Sequence, residues 1–164
     1  MVGGALYRVS PDGLSVKVPA VSTCIGNVAV GAGGAAWVTD IYFPSRVLRV
    51  DTTTLKVVAR VPLAFTPGDI AADAEGVWVL DRRGNSAVRI DPRTNRVAGK
   101  VRVGDGPVSV AAGAGAVWVA NVDSGTVSRI DASTGRVVAT IKVGPNPAEI
   151  AVGEGGVWVI VRGR

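Results

Sequence analysis

The sequence predicts an all-β fold: a β-propeller of four four-stranded blade repeats, about 40 residues each, with one blade split between the N- and C-termini. Three observations carry this. Trp37, Trp78, Trp118 and Trp158 are spaced 41, 40 and 40 residues apart. Each sits in one kind of phrase, such as Glu75-Gly76-Val77-Trp78-Val79 and Gly115-Ala116-Val117-Trp118-Val119. A second marker, Asp51, Asp91 and Asp131, recurs every 40 residues in step with the first.

One repeat, residues 107–143, shows how four strands arise. Val108 to Ala112 is a short apolar run, and Gly113-Ala114-Gly115 turns the chain. Ala116 to Ala120 is a second run, rich in β-formers. Asn121 to Gly125 is a loop of turn residues. Thr126 to Ile130 is the third run, and Arg136 to Val143 is the fourth after a turn at Asp131. Strands A, B, C and D follow in that order.

The C–D turn has a mechanism. A carboxylate at Asp51, Asp91 or Asp131 accepts hydrogen bonds from N–H groups two and three residues on. Gly135, four residues after Asp131, takes positive φ without steric cost. Asn95 tolerates that region, and Leu55 suits it less well. These aspartates are therefore turn formers and not metal ligands or catalytic acids.

Each Trp stands mid-strand beside valines, where neighbouring blades press together, so the indoles are expected in the core. Arg49, Arg89 and Arg129 share one strand-C position, while Asp40, Asp81 and Asn121 recur at the end of strand B. An Arg–Asp contact is expected to satisfy both, since a buried guanidinium needs a partner.

Composition excludes several functions. The chain has 164 residues and no histidine, which removes imidazole acid–base catalysis and Ser-His or Cys-His nucleophile pairs. Cys24 is the single cysteine, so no internal disulfide forms, and it is expected to pack as a small apolar group. The net charge is +5. Twelve of the 18 basic residues recur at the strand-C position or on strand D, whose edge they shield from pairing. Nucleic-acid binding is therefore not expected. No apolar run approaches the roughly 18 residues of a membrane span, and the first residues do not resemble a signal peptide.

The N-terminus aligns with strand C, because Ala5-Leu6-Tyr7-Arg8-Val9-Ser10 matches Thr126-Val127-Ser128-Arg129-Ile130-Asp131. The C-terminus supplies strands A and B. The single expected domain, 1–164, thus holds blades at about 25–62, 66–103 and 106–143, and a fourth from 147–161 plus 4–20. Three outcomes stay open: a closed four-bladed ring, two copies forming an eight-bladed ring, or an arc of a longer propeller.

The phrases Val117-Trp118-Val119-Ala120-Asn121 and Thr134-Gly135-Arg136-Val137-Val138 resemble the YVTN-type repeats of the virginiamycin B lyase-like propellers. The resemblance spans nearly the whole chain. It implies a propeller fold and either a lyase, using a metal and a histidine, or a binding or sensor module. It also implies frequent placement outside the cytoplasm. With no histidine present, the expected function is a non-catalytic binding or scaffold module; the alternative is a divergent metal-dependent lyase or hydrolase.

Loops D–A and B–C are expected on one face, around the channel mouth. Candidate binding residues there are Tyr42, Phe43, Arg46 and Phe65, with Asp81, Arg82 and Arg83 from the second blade and Asn121 and Asp123 from the third. Exposed aromatics in the first blade are the strongest sign of a binding patch. A ring of Asn27, Asp69, Ser109 and Glu149 is expected to face the channel, where its oxygens can hold a cation. No catalytic residue, resident metal or other cofactor is assigned. The expected partner is a protein, peptide or small molecule, with a second copy of the chain as a further option, and not a membrane.

Overall fold

The computed structural model describes residues 4–19, 24–153 and 155–163. The expected strand boundary at residue 20 and the N-terminal Met1-Val2-Gly3 lie outside them. All regular structure among the described residues is strand. A short hairpin, β1 (Tyr7–Val9) and β2 (Ser15–Lys17), comes first. Sheet I follows, with β3 (Ile25–Gly31), β4 (Ala35–Asp40), β5 (Arg46–Asp51) and β6 (Val57–Pro62). Sheet II holds β7 (Ile70–Ala72), β8 (Val77–Asp81), β9 (Ser86–Asp91) and β10 (Arg96–Arg102). Sheet III holds β11 (Pro107–Gly113), β12 (Ala116–Asn121), β13 (Thr126–Asp131) and β14 (Arg136–Lys142). A last hairpin, β15 (Pro147–Gly153) and β16 (Gly156–Val161), completes the chain. Each sheet is antiparallel and its strands pair in sequence order.

The sheets stack as a row, and the recurring indole is the wedge at each junction. Trp37 packs between sheets I and II, against Val47, Val61, Ile70, Val77 and Ile90. Trp78 repeats this between sheets II and III, against Ala87, Val110, Val117 and Ile130. Trp118 reaches Ile150, Val157 and Val159 of the last hairpin. Trp37 and Trp78 are fully buried, as their strand positions require. Trp158, the fourth in the series, is 69% exposed, because no further sheet stands beside β16.

The expected split blade therefore does not form. The two hairpins remain separate two-stranded sheets at opposite ends of the row. The first packs on sheet I through Leu6 and Val18, and the last packs on sheet III. One indole among valines and alanines makes a slim wedge, and the turn it imposes does not bring β16 to β1.

The C–D turns follow their chemistry. Asp131 Oδ1 accepts from Ser133 N at 3.1 Å and Thr134 N at 2.8 Å. The hydroxyls of Ser133 and Thr134 add bonds of 2.6 and 2.9 Å. The Ser133 hydroxyl, then the Thr134 N–H and hydroxyl, hold this carboxyl down at about 2. Asp51 is lowered chiefly by the Thr54 N–H, and Asp91 by the Arg93 N–H. Gly135 takes φ 66°, Asn95 takes 55°, and Leu55 takes 57° despite its side chain.

The expected Arg–Asp contact is replaced by Trp–Arg stacking. Arg49, Arg89 and Arg129 lie 5.3, 5.9 and 5.4 Å from the centroids of Trp37, Trp78 and Trp118. Register is the cause: each Trp pairs directly with its Arg across strands B and C. The polar residue at the end of strand B lies three positions beyond the Trp, so the pleat sends it to the other face.

Candidate functional site

The same pleat decides what the strand-B terminal residues do. Asp40 is fully buried, and its Oδ2 accepts from Arg46 Nε at 2.8 Å while Oδ1 accepts from Tyr42 N at 3.2 Å. Sheet II has Ser86 opposite Asp81, where sheet I has Arg46 opposite Asp40. The cation comes instead from strand D: Lys100 Nζ donates to Asp81 Oδ2 at 2.9 Å. Gly84 N also donates to Asp81 Oδ1 at 2.9 Å. Sheet III uses a neutral solution, with Asn121 Nδ2 donating to Thr126 Oγ1 at 3.2 Å and Ser128 Oγ at 3.0 Å. Asp40, Asp81 and Asn121 thus anchor their loops, and Arg46 is committed to Asp40.

Three of the four residues expected to face a channel, Asn27, Asp69 and Ser109, are likewise engaged between sheets. Asn27 Nδ2 donates to Asp69 Oδ1 at 3.0 Å. Asp69 Oδ2 accepts from Ser109 Oγ at 3.2 Å and Val110 N at 2.9 Å. Ser109 Oγ in turn accepts from Ile150 N at 3.4 Å. One carboxylate therefore ties sheets I, II and III together. Glu149 is exposed at the end of this belt. Among the described residues no three His, Cys, Asp or Glu side chains gather as a metal-ligand group.

What the anchored loops leave outward is different in character. An open cleft of about 750 Å³ runs between sheets I and II. Phe43, Phe65, Pro67, Arg82 and Arg83 line it, with Asp81 at its wall. Phe43 is 87% exposed, and Tyr42 also faces outward on the same loop. Lys100 Nζ sits 5.9 Å above the Phe65 ring, extending the positive wall. Arg82 and Arg83 are exposed and hold no ion partner among the described residues. Arg82 also borders a second opening of about 370 Å³, beside Asn27 and Asp69.

The structure thus brings Phe43, Phe65, Asp81, Arg82 and Arg83 to one cleft. Tyr42 and Arg46 stand beside it without lining it. Asp123 lines a separate depression on sheet III, with Lys142 and Asn146. Sequence reasoning assigned Lys100 only to edge protection. Its role was legible in the swap of Arg46 for Ser86, which leaves Asp81 without a cross-strand cation. Arg162, which lines a further opening with Arg82, stands four residues after Trp158 as Arg82 does after Trp78, a repeat signal that sequence reasoning passed over.

No protein-family model matches the chain, and no curated protein sequence matches it. Solved structures do. A streptogramin B lyase is 18% identical, with a TM-score of 0.79 over 96% of this chain and 55% of that one. The fold is that of a virginiamycin B lyase-like β-propeller. A catalytically inactive virginiamycin B lyase from Staphylococcus aureus, with quinupristin, gives a TM-score of 0.76 at 18% identity over 96% of this chain and 56% of that one. A functionally unknown protein from Desulfotomaculum acetoxidans gives 0.77 at 13% identity, over 96% and 55%. The chain spans about half the length of these propellers. Its neighbours also include the Pan2 WD40 domain of Neurospora crassa, with a TM-score of 0.70 at 10% identity, over 90% of this chain and 49% of that one. Among the described residues no helix is long and apolar enough to cross a membrane, which says nothing about strands.

Proposed function

We propose that this propeller is a binding module whose ligand is an anionic molecule carrying an apolar group, held in the cleft between sheets I and II. The observation that carries this is the contrast between spent and unspent groups. Asp40 and Asp81 are bonded to Arg46 and Lys100 within their own sheets, whereas Arg82 and Arg83 are exposed beside Phe43 and Phe65. Guanidinium groups recognise carboxylates by paired N–H donors, and aromatic faces take the apolar part. Rigid sheets hold these loops in place, so the cleft is largely preformed. A protein segment or peptide with acidic and aromatic side chains has this chemistry.

The test is calorimetric titration with an N-acetylated tripeptide of two glutamates and one phenylalanine. Binding is expected in the micromolar to millimolar range, weakened by salt. It falls on the order of tenfold in Arg82→Ala or Phe43→Ala, the loss of one charged or aromatic contact. Absence of binding to the wild-type chain at millimolar peptide overturns the reading.

A second reading, a divergent metal-dependent lyase or hydrolase, is supported by the fold similarity to the streptogramin lyases alone. Turnover of quinupristin by the purified chain, abolished by a chelator, would replace the binding reading with this one.

A further inference from the structure

The strongest unpaired features of the chain lie at the two ends of the row, and they are complementary. At one end, β16 has an open edge and displays Trp158 and Ile160. At the other, β1 has an open edge and displays Tyr7 and Val9. By repeat position, β15–β16 supplies strands A and B of a blade, and β1–β2 supplies strands C and D.

A cavity of about 200 Å³ lies between the first hairpin and sheet I. Its lining corresponds residue by residue to the surroundings of Trp37. Where Trp37 meets Val47 and Val61, the cavity has Leu6 and Val18. Where Trp37 meets Ile70, Ala72, Val77 and Ile90, the cavity has Val28, Val30, Ala36 and Val50. The missing element is the indole itself. Arg8 also lines this cavity, at the repeat position of the arginines that stack on Trp37, Trp78 and Trp118.

We propose that two copies of this chain join end to end. The β16 edge of each pairs antiparallel with the β1 edge of the other, and Trp158 fills the cavity beside Leu6 and Val18. The register is set by the three complete sheets, in which Trp37 faces Arg49, Trp78 faces Arg89 and Trp118 faces Arg129. Trp158 of one copy then faces Arg8 of the other, and Val159 faces Tyr7. The pairing covers an open edge, buries an exposed indole and stacks it beneath a guanidinium. A twofold arrangement pairs the β16 and β1 edges of both copies.

Sedimentation velocity on the full 164-residue chain tests the pairing directly. A particle of twice 16.7 kDa is expected at micromolar concentration. Trp158→Glu should weaken association on the order of 100-fold, as loss of a central aromatic anchor does. It should also leave the β-sheet circular dichroism unchanged, since Trp158 is exposed in the single chain. A particle of 16.7 kDa at every concentration, or a ladder of larger assemblies, overturns the closed pair. An oxidation experiment checks the register: with Cys24→Ser, Tyr7→Cys and Val159→Cys in one chain, disulfides between copies are expected. A disulfide within one chain would mean that the chain closes on itself, and would overturn the proposal.

Discussion

Arg49 lies over the ring of Trp37 and also reaches the next sheet, where its Nη1 donates to Pro92 O at 2.7 Å and to Asn95 Oδ1 at 3.0 Å. One side chain thus caps the buried indole and ties sheet I to the C–D turn of sheet II. The stack and the two bonds act together at a single junction.

Trp37→Ala is expected to cost about 3–5 kcal/mol, because the cavity left among Val47, Val61 and Ile70 cannot close between two rigid sheets. Arg49→Ala is expected to cost about 1–2 kcal/mol, the worth of a stacked cation and its hydrogen bonds. Denaturant unfolding of both variants checks the order.

Asp69→Ala removes the acceptor shared by Asn27, Ser109 and the Val110 N–H. A loss of about 2 kcal/mol is expected, as for hydrogen bonds to a charged group. Asp69→Asn keeps one acceptor oxygen and should lose less. Amide exchange should quicken at Val110 in the alanine variant, which separates a local opening from global unfolding.

The acid response follows from the C–D turns. The folded carboxyl of Asp131 sits at about 2, below its ordinary 3.8. A lowered folded pKa stabilises the native state above the ordinary value, and that contribution disappears as pH falls through the folded one. Stability should therefore drop between about pH 4 and pH 2. Asp131→Asn should flatten that slope while leaving the turn in place. Denaturant midpoints at pH 5 and pH 2.5 check both.

Ala114 turns the A–B hairpin of sheet III at φ 53°, exposed to solvent. The left-handed region strains any side chain, and here no packing offsets that strain. Ala114→Gly is expected to stabilise the chain by about 0.5–1 kcal/mol, read as a rise in melting temperature.

The repeat made the strands legible, because the hydrophobic alternation and the turn residues act over a few positions each. The Asp131 turn could be written down from the carboxylate and the N–H groups that follow it. The cleft between sheets I and II was partly legible, because Phe43 broke the polar pattern of its loop. Asp40 and Asp81 were misread as partners of the strand-C arginines, since a repeat position says which residues recur and not which face each meets.

From sequence alone, this chain's all-β character, its strand order and its one indole per unit were decided, because each rests on local backbone preference and a two-residue pleat. Whether the ends meet was decided only in three dimensions. That outcome depends on the angle each Trp-and-valine wedge sets between sheets, summed along the row. The sum leaves Trp158 on one end and the cavity beside Leu6 on the other.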